Sequence, residues 1–162
     1  MMKNNLIACL LIFAALNFAF VLPNSTHSSK KDFIEWQPDK PLSWSDFQAR
    51  AKTNTNISAL TASAIEYTYE CKRGELDISV RAIFIPTESW AKADAKTNYI
   101  LAHEQLHFDI TEIYSRKLRH ELSKKVTKCS DMRKIEGIAQ GIIREWKKEQ
   151  AAYDKDSKHS MD

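Results

Sequence analysis

Glycine, proline and cysteine are all scarce in this sequence. Its 162 residues include three glycines, four prolines and three cysteines. So little glycine and proline excludes a collagen and a low-complexity tail, and so few cysteines exclude a disulfide-dense mini-protein. A block of basic residues is also absent, since 24 lysines and arginines are interspersed with 21 aspartates and glutamates. Nucleic acid is therefore not expected as the main partner.

One long apolar run is present, and it lies near the amino terminus. Residues 6–22 read LIACLLIFAALNFAFVL and no acidic residue precedes them. This pattern predicts a secretory signal peptide over residues 1–22. The alternative is an uncleaved N-terminal anchor, because the run nearly reaches the roughly 20 residues that span a bilayer. The polar residues 23–32 predict a linker, and the folded domain is expected over residues 33–162.

This leader predicts export, so that the protein would be periplasmic or extracellular and would touch a membrane only through residues 6–22. Cleavage would remove Cys9 and leave Cys71 and Cys129 in a chain that folds in an oxidising compartment. We therefore expect a disulfide between these two residues. The alternative is two unpaired thiols.

Hydrophobic periodicity predicts strands followed by helices. Residues 57–69 and 76–85 alternate in part between apolar and polar side chains, and a Lys-Arg-Gly turn separates them at residues 72–74. These features predict an antiparallel hairpin. Since no glycine or proline occurs between Thr87 and Glu136, one long helix is expected through much of residues 98–126.

A second helix is expected from Asp131, as its N-cap, to Tyr153, because apolar residues recur there at helical spacing. The predicted fold class is therefore α+β. A small antiparallel sheet would pack on the long helix, and the second helix would run antiparallel beside it.

The predicted long helix contains the motif His103-Glu104-Gln105-Leu106-His107. Side chains four residues apart project from one face of a helix, so both imidazoles can reach one Zn²⁺ at about 2.0–2.1 Å. Glu104 would lie beside the metal and act as general base toward an attacking water. The alternative, two histidines of an ordinary buried face, would require several buried hydrogen-bond partners that a metal replaces.

A catalytic zinc needs a third protein ligand. Glu112 is excluded on a continuous helix, because it lies about 13.5 Å beyond His103 and on the far side. The candidates come from the second helix and the tail: Glu136, Glu145, Glu149, Asp154, Asp156 and His159. Glu149 falls on the apolar stripe of the second helix. The long helix from His107 to Val126 and the second helix from Asp131 to Tyr153 have similar expected lengths, about 28 Å and 33 Å. The second helix would therefore return the tail to the level of the motif and leave Glu136 at the far end.

Four segments together resemble a known family. They are PLSWSDF at residues 41–47, Ser89-Trp90, HEQLHFDITEIYSRKLR at residues 103–119 and YDKDSKH at residues 153–159. Over about residues 33–160 the chain is similar to the bacterial predicted secreted zinc-dependent proteases grouped as domain of unknown function 922. The resemblance implies a metallopeptidase-like domain exported from a bacterial cell. It also favours His159 over Glu149 as the third ligand.

The tail departs from the family pattern, which reads Tyr-Asp-x-x-Thr-x-His-Gly. Ser157 stands where that pattern has threonine, and Ser160 stands where it has glycine. The hydroxyl is retained at the first position, whereas the glycine is not.

The expectation is therefore a zincin-like zinc metallopeptidase that hydrolyses peptide or protein substrates. Zn²⁺ would be bound by His103, His107 and His159, with Glu104 as the base. Tyr153 is a candidate donor to the oxyanion, and its alternative is a core aromatic residue. Residues 76–85 are a candidate sheet edge for an extended peptide. The rival function is a non-catalytic zincin-like binding module of the cell envelope.

Overall fold

Two long helices and a long hairpin form most of residues 33–157, the part of the chain that a computed structural model describes. The helices are α1 (Asn98–Lys125) and α2 (Ile135–Asp156). The strands are β1 (Ile34–Glu35), β2 (Ala59–Leu60), β3 (Ser63–Lys72), β4 (Glu75–Phe84) and β5 (Trp90–Ala91). Short 3₁₀ helices cover Trp44–Asp46, Ala93–Ala95 and Cys129–Lys134. This architecture confirms the predicted α+β class, with small antiparallel sheets and two helices.

The predicted hairpin is present. β3 and β4 pair antiparallel from Ser63↔Phe84 to Lys72↔Glu75. Arg73 and Gly74, which join them, both have positive φ (53° and 86°), as a tight two-residue hairpin turn requires. β1 pairs with the other side of β4 at Ile34↔Phe84, so the strand order is β1-β4-β3.

The first strand of the hairpin starts later than the sequence indicated. Residues 57–62 do not continue β3 backwards, because β2 within them pairs with β5 through Ala59↔Ala91 and Leu60↔Trp90. Ser89 stabilises this change of direction: its buried hydroxyl donates to the Ile85 carbonyl and accepts the Ala62 N–H. No glycine or proline separates β2 from β3 in the sequence, so hydrophobic periodicity predicted one continuous strand there.

α1 matches the prediction at both ends to within one residue. Thr97 is its N-cap, and the Thr97 hydroxyl accepts the Ile100 N–H at 3.2 Å, which satisfies one of the unpaired donors of the first turn. Lys124 and Lys125 lie in the last turn, where the helix dipole favours cations.

α2 begins at Ile135, so the prediction that it starts at Asp131 was wrong. Residues 129–134 form a 3₁₀ helix instead. The Asp131 carboxylate accepts the Thr127 N–H at 3.2 Å and the Lys134 ammonium at 2.7 Å. Asp131 therefore stabilises the connection between the helices and does not cap α2.

The helices run antiparallel, as their contacts show. His107 near the start of α1 meets Gln150 near the end of α2, whereas Leu122 near the end of α1 shares a core cluster with Ile135. A second cluster lies under the motif and includes Phe84 of β4 and Phe108 of α1. Because Phe108 is only 1% exposed and follows His107 directly, its burial fixes the rotation of α1.

The two cysteines that were expected to form a disulfide lie close together in the structure. Cys71 near the hairpin tip and Cys129 after α1 have disulfide geometry, with Cα atoms 5.7 Å apart. The bond ties the hairpin to the connection between the two helices.

The predicted leader (residues 1–22) and linker (23–32) fall outside the described residues. Between residues 33 and 157, neither helix is long and apolar enough to cross a bilayer.

Candidate metal centre

The motif lies on α1, and residues 100–107 of this helix include side chains that line a cleft. His103 and Glu104 are 7% and 3% exposed, and His107 is partly buried. The Nε2 atoms of His103 and His107 are 3.0 Å apart. The two imidazoles therefore point to one position, as the spacing of four residues predicted.

The last turn of α2 adds a carboxylate to this pair. Asp154 Oδ1 lies 3.0 Å from His107 Nε2 and 3.5 Å from His103 Nε2. Ligand-type atoms of these three residues all lie within 4.8 Å of one another. Asp154 was one of the open candidates for the third ligand, and the antiparallel return of α2 is what brings it to the motif.

The three donor atoms fit a zinc ion. Four ligands at 2.0–2.1 Å in a tetrahedron are about 3.3 Å apart. The observed separations of 3.0, 3.0 and 3.5 Å lie close to this value. Two imidazoles and one carboxylate are also a donor set that zinc takes in catalytic sites.

A glutamine that the sequence reasoning missed contacts His107 from the other side. His107 Nδ1 lies 2.6 Å from Gln150 Oε1, while Gln150 Nε2 donates to the His107 carbonyl at 2.8 Å. The available signal was spacing, since Gln150 lies four residues before Asp154 and four after Trp146. Residue type gave no signal, because a neutral amide is not among the usual zinc ligands.

Glu104 is held in the wall of the cleft. The Thr61 hydroxyl donates to its backbone carbonyl at 3.1 Å. Burial raises the pKa of the Glu104 carboxyl above its usual range, and hydrogen bonds from Thr61 offset part of this effect. Within residues 33–157 its Oε2 atom has no hydrogen-bond partner.

Tyr153 packs against both histidines. Its ring stacks on His103 with centroids 4.8 Å apart and meets His107 edge-on at 5.0 Å. Burial, and then the nearby Glu104 carboxylate, raise the pKa of the Tyr153 hydroxyl. The ring thus lies at the site as predicted, and its role as an oxyanion donor stays a prediction.

The cleft has a volume of about 350 Å³ and lies between residues 57–63 on one side and α1 and α2 on the other. Its lining includes Ile57, Leu60 and Ile100 beside the motif. The prediction that residues 76–85 form the edge along the site was wrong. That strand, β4, does not line the cleft, because it pairs with β3 along its length and with β1 at its end.

Glu149 does not join the site, although its spacing suggested that it faces inward. It is exposed and accepts a long hydrogen bond from the Tyr114 hydroxyl at 3.5 Å. The α2 residues that face the motif follow steps of four, namely Trp146, Gln150 and Asp154. A row of residues four apart is inclined to the helix axis, and such rows form the ridges along which helices pack. The row that contacts α1 therefore contains positions 146, 150 and 154, and position 149 lies beside it.

The other acidic candidates also lie elsewhere. Glu112 forms ion pairs with Arg116 and Arg119 at 2.8 and 2.6 Å, in agreement with its exclusion. Glu136 accepts a hydrogen bond from Tyr67, and Glu145 pairs with Lys117. Asp156 is exposed. His159, the expected third ligand, lies outside the described residues.

Comparison with known proteins gives one result. Residues 35–160 match the family model described as a bacterial protein of unknown function, DUF922. Neither a curated protein nor a solved structure matches the chain. Since the family model covers most of the sequence, the chain belongs to the bacterial family of unknown function DUF922.

Proposed function

We propose that this protein is a zincin-like, zinc-dependent peptide hydrolase with His103, His107 and Asp154 as metal ligands. The observation that supports this most strongly is the meeting of three acceptor-type atoms within 3.5 Å beside a buried glutamate. Lone pairs that face each other at such distances repel unless a cation or a proton lies between them. A bound zinc would supply Lewis-acid activation of water and of the scissile carbonyl.

Glu104 is the proposed general base. It neighbours His103 in sequence, lines the cleft and is 3% exposed. From this position its carboxylate accepts a proton from the attacking water and then donates it to the leaving amine. A purely structural metal site would have no use for a carboxylate here, and burying an unpaired carboxylate costs free energy. This argument disfavours the alternative of a non-catalytic binding module.

The proposed substrate is an extended peptide. β2 has one strand partner, β5, among the described residues, and the segment around β2 lines the cleft. An extended peptide can therefore add beside it through main-chain hydrogen bonds. Ile57, Leu60 and Ile100 would contact apolar substrate side chains.

We also propose that the protein acts after export. Its leader-like residues 6–22 support this. The geometry of Cys71 and Cys129 agrees with it, because disulfides persist in oxidising compartments.

The test compares Glu104→Gln with Glu88→Gln, a matched change at an exposed glutamate. Purified full-length proteins are loaded with zinc and incubated with unfolded casein, and new amino termini are counted. Glu104→Gln should keep its zinc and lose hydrolysis by about 10²–10⁴-fold, because the base is removed. Glu88→Gln should match the wild type.

Equal cleavage by wild type and Glu104→Gln would overturn the proposed mechanism. A wild-type protein that binds zinc and cleaves nothing would instead support the binding module.

A further inference from the structure

We propose that Gln150 is the positioning residue of His107. It would hold the imidazole in the Nδ1–H tautomer, so that Nε2 presents its lone pair to the position that Asp154 and His103 surround. The inference rests on the proposed zinc site and deepens it. The two histidines of that site are suggested by the sequence motif and Asp154 is among the candidates read from the sequence, whereas Gln150 is not.

The orientation of the Gln150 amide follows from its partners. Its Nε2 donates to the His107 carbonyl at 2.8 Å and to the Thr111 hydroxyl at 3.2 Å. A flipped amide would place its oxygen against the His107 carbonyl, where two acceptors would repel. Oε1 must therefore face His107 Nδ1 at 2.6 Å. Since a carbonyl oxygen only accepts, the proton lies on Nδ1.

Gln150 is itself held by a buried network. Thr111 is fully buried and donates to the His107 carbonyl at 3.0 Å. Trp146 Nε1 donates to the Thr111 hydroxyl at 3.1 Å. The hydroxyl of Ser63, in β3, lies 2.7 Å from the same Thr111 hydroxyl. Side chains from α1, α2 and the hairpin thus meet at one hydroxyl. The glutamine amide has little freedom to turn away from the imidazole.

This contact matters because zinc binds the unprotonated nitrogen of an imidazole. Metal-bound histidines nearly always donate their other ring N–H to an acceptor, which fixes the tautomer and the ring orientation. Here the acceptor is a neutral amide. Gln150 thereby leaves Nε2 as the ring nitrogen that faces the metal position.

The test reads the tautomer in the zinc-free protein. Full-length, zinc-free protein is prepared with ¹⁵N-labelled histidine, and ring ¹⁵N shifts are measured by long-range ¹H–¹⁵N correlation. His107 should carry a proton on Nδ1 in the wild type and in Gln140→Leu, a matched change at an exposed glutamine of α2, whether or not Nε2 shares a second proton with the Asp154 carboxylate. In Gln150→Leu it should shift toward Nε2–H, with zinc affinity about 10–100-fold lower.

Gln150→Glu separates positioning from packing. Both variants remove the amide donor to Thr111 and the His107 carbonyl, but only leucine removes the acceptor for Nδ1–H. Gln150→Glu should therefore keep the Nδ1–H tautomer. An Nε2–H tautomer in the wild type, or an unchanged tautomer in Gln150→Leu, would overturn the inference. Failure of the wild type to bind zinc would overturn the proposed function and leave the tautomer result standing.

Discussion

At the scale of residues, one stretch of α2 makes three different contacts with the motif. Asp154 places an oxygen near both imidazoles, Tyr153 stacks on His103, and the Gln150 amide oxygen contacts His107 Nδ1. The atoms proposed as ligands thus lie close together in the structure. Such preorganisation lowers the ordering cost of binding.

The third ligand gives the first prediction at this scale. Asp154→Asn keeps the size of the side chain and removes its charge, so zinc affinity should fall at least about 100-fold. Asp156→Asn, an exposed position two residues on, should leave affinity unchanged. The measurement is competition with a chromophoric zinc chelator.

His159→Ala belongs in the same titration, because the sequence and the family resemblance both pointed to His159. Unchanged affinity in Asp154→Asn together with a large loss in His159→Ala would contradict the ligand set proposed from the structure. It would restore the assignment made from the sequence.

At the scale of elements, the connection between α1 and α2 determines which residues meet. It contains Asp131, which binds Thr127 and Lys134. The hydrogen bond from Lys134 lowers the pKa of the Asp131 carboxyl below its ordinary value. A carboxylate with a lowered pKa in the folded state stabilises the fold above its unfolded pKa of about 3.9 and loses that contribution as the pH falls through its folded pKa.

Asp131→Asn should therefore lower the free energy of unfolding at pH 7, and the difference from wild type should shrink as the pH falls below about 4. Urea unfolding at pH 7 and pH 3 measures this, with the exposed Asp77→Asn as the control. A deficit of the same size at both pH values would contradict an ionic role for Asp131.

Local signals in the sequence predicted much at this scale. The hairpin follows from alternation and a turn with glycine, and α1 follows from the absence of breakers and a capping threonine. The change of direction at residues 57–62 did not follow, because it depends on Ser89, which is distant in sequence. The sequence also did not predict the rotation of α2 about its axis, because packing against α1 sets it. That rotation turns Gln150 and Asp154 toward His107 and leaves Glu149 outside the site.

At the scale of the whole molecule, the candidate site and the disulfide lie at opposite ends of α1. Eighteen residues separate His107 from Lys125, which corresponds to about 27 Å of helix. The cysteines join the far end of the hairpin to the residues after α1. Stability and metal binding should therefore respond separately to changes at the two ends.

Removing the disulfide tests this separation. The two cysteines are 58 residues apart in sequence, and a cross-link of that span stabilises a fold by about 4 kcal/mol in the chain-entropy model. Cys71→Ser with Cys129→Ser should lower the free energy of unfolding in urea by up to that amount and leave zinc affinity unchanged. In the wild type, mass analysis after alkylation without reductant should find neither cysteine modified. Free thiols there would contradict the bond.

The most direct test of the whole account is the zinc content of the purified full-length protein, measured by atomic emission after dialysis. The wild type and His120→Ala, an exposed histidine on the same helix, should each retain a single zinc ion per chain. His103→Ala and His107→Ala should each lose it. Stoichiometric zinc in both of these variants, or none in a zinc-loaded wild type, would contradict the metal centre on which the proposed hydrolysis depends.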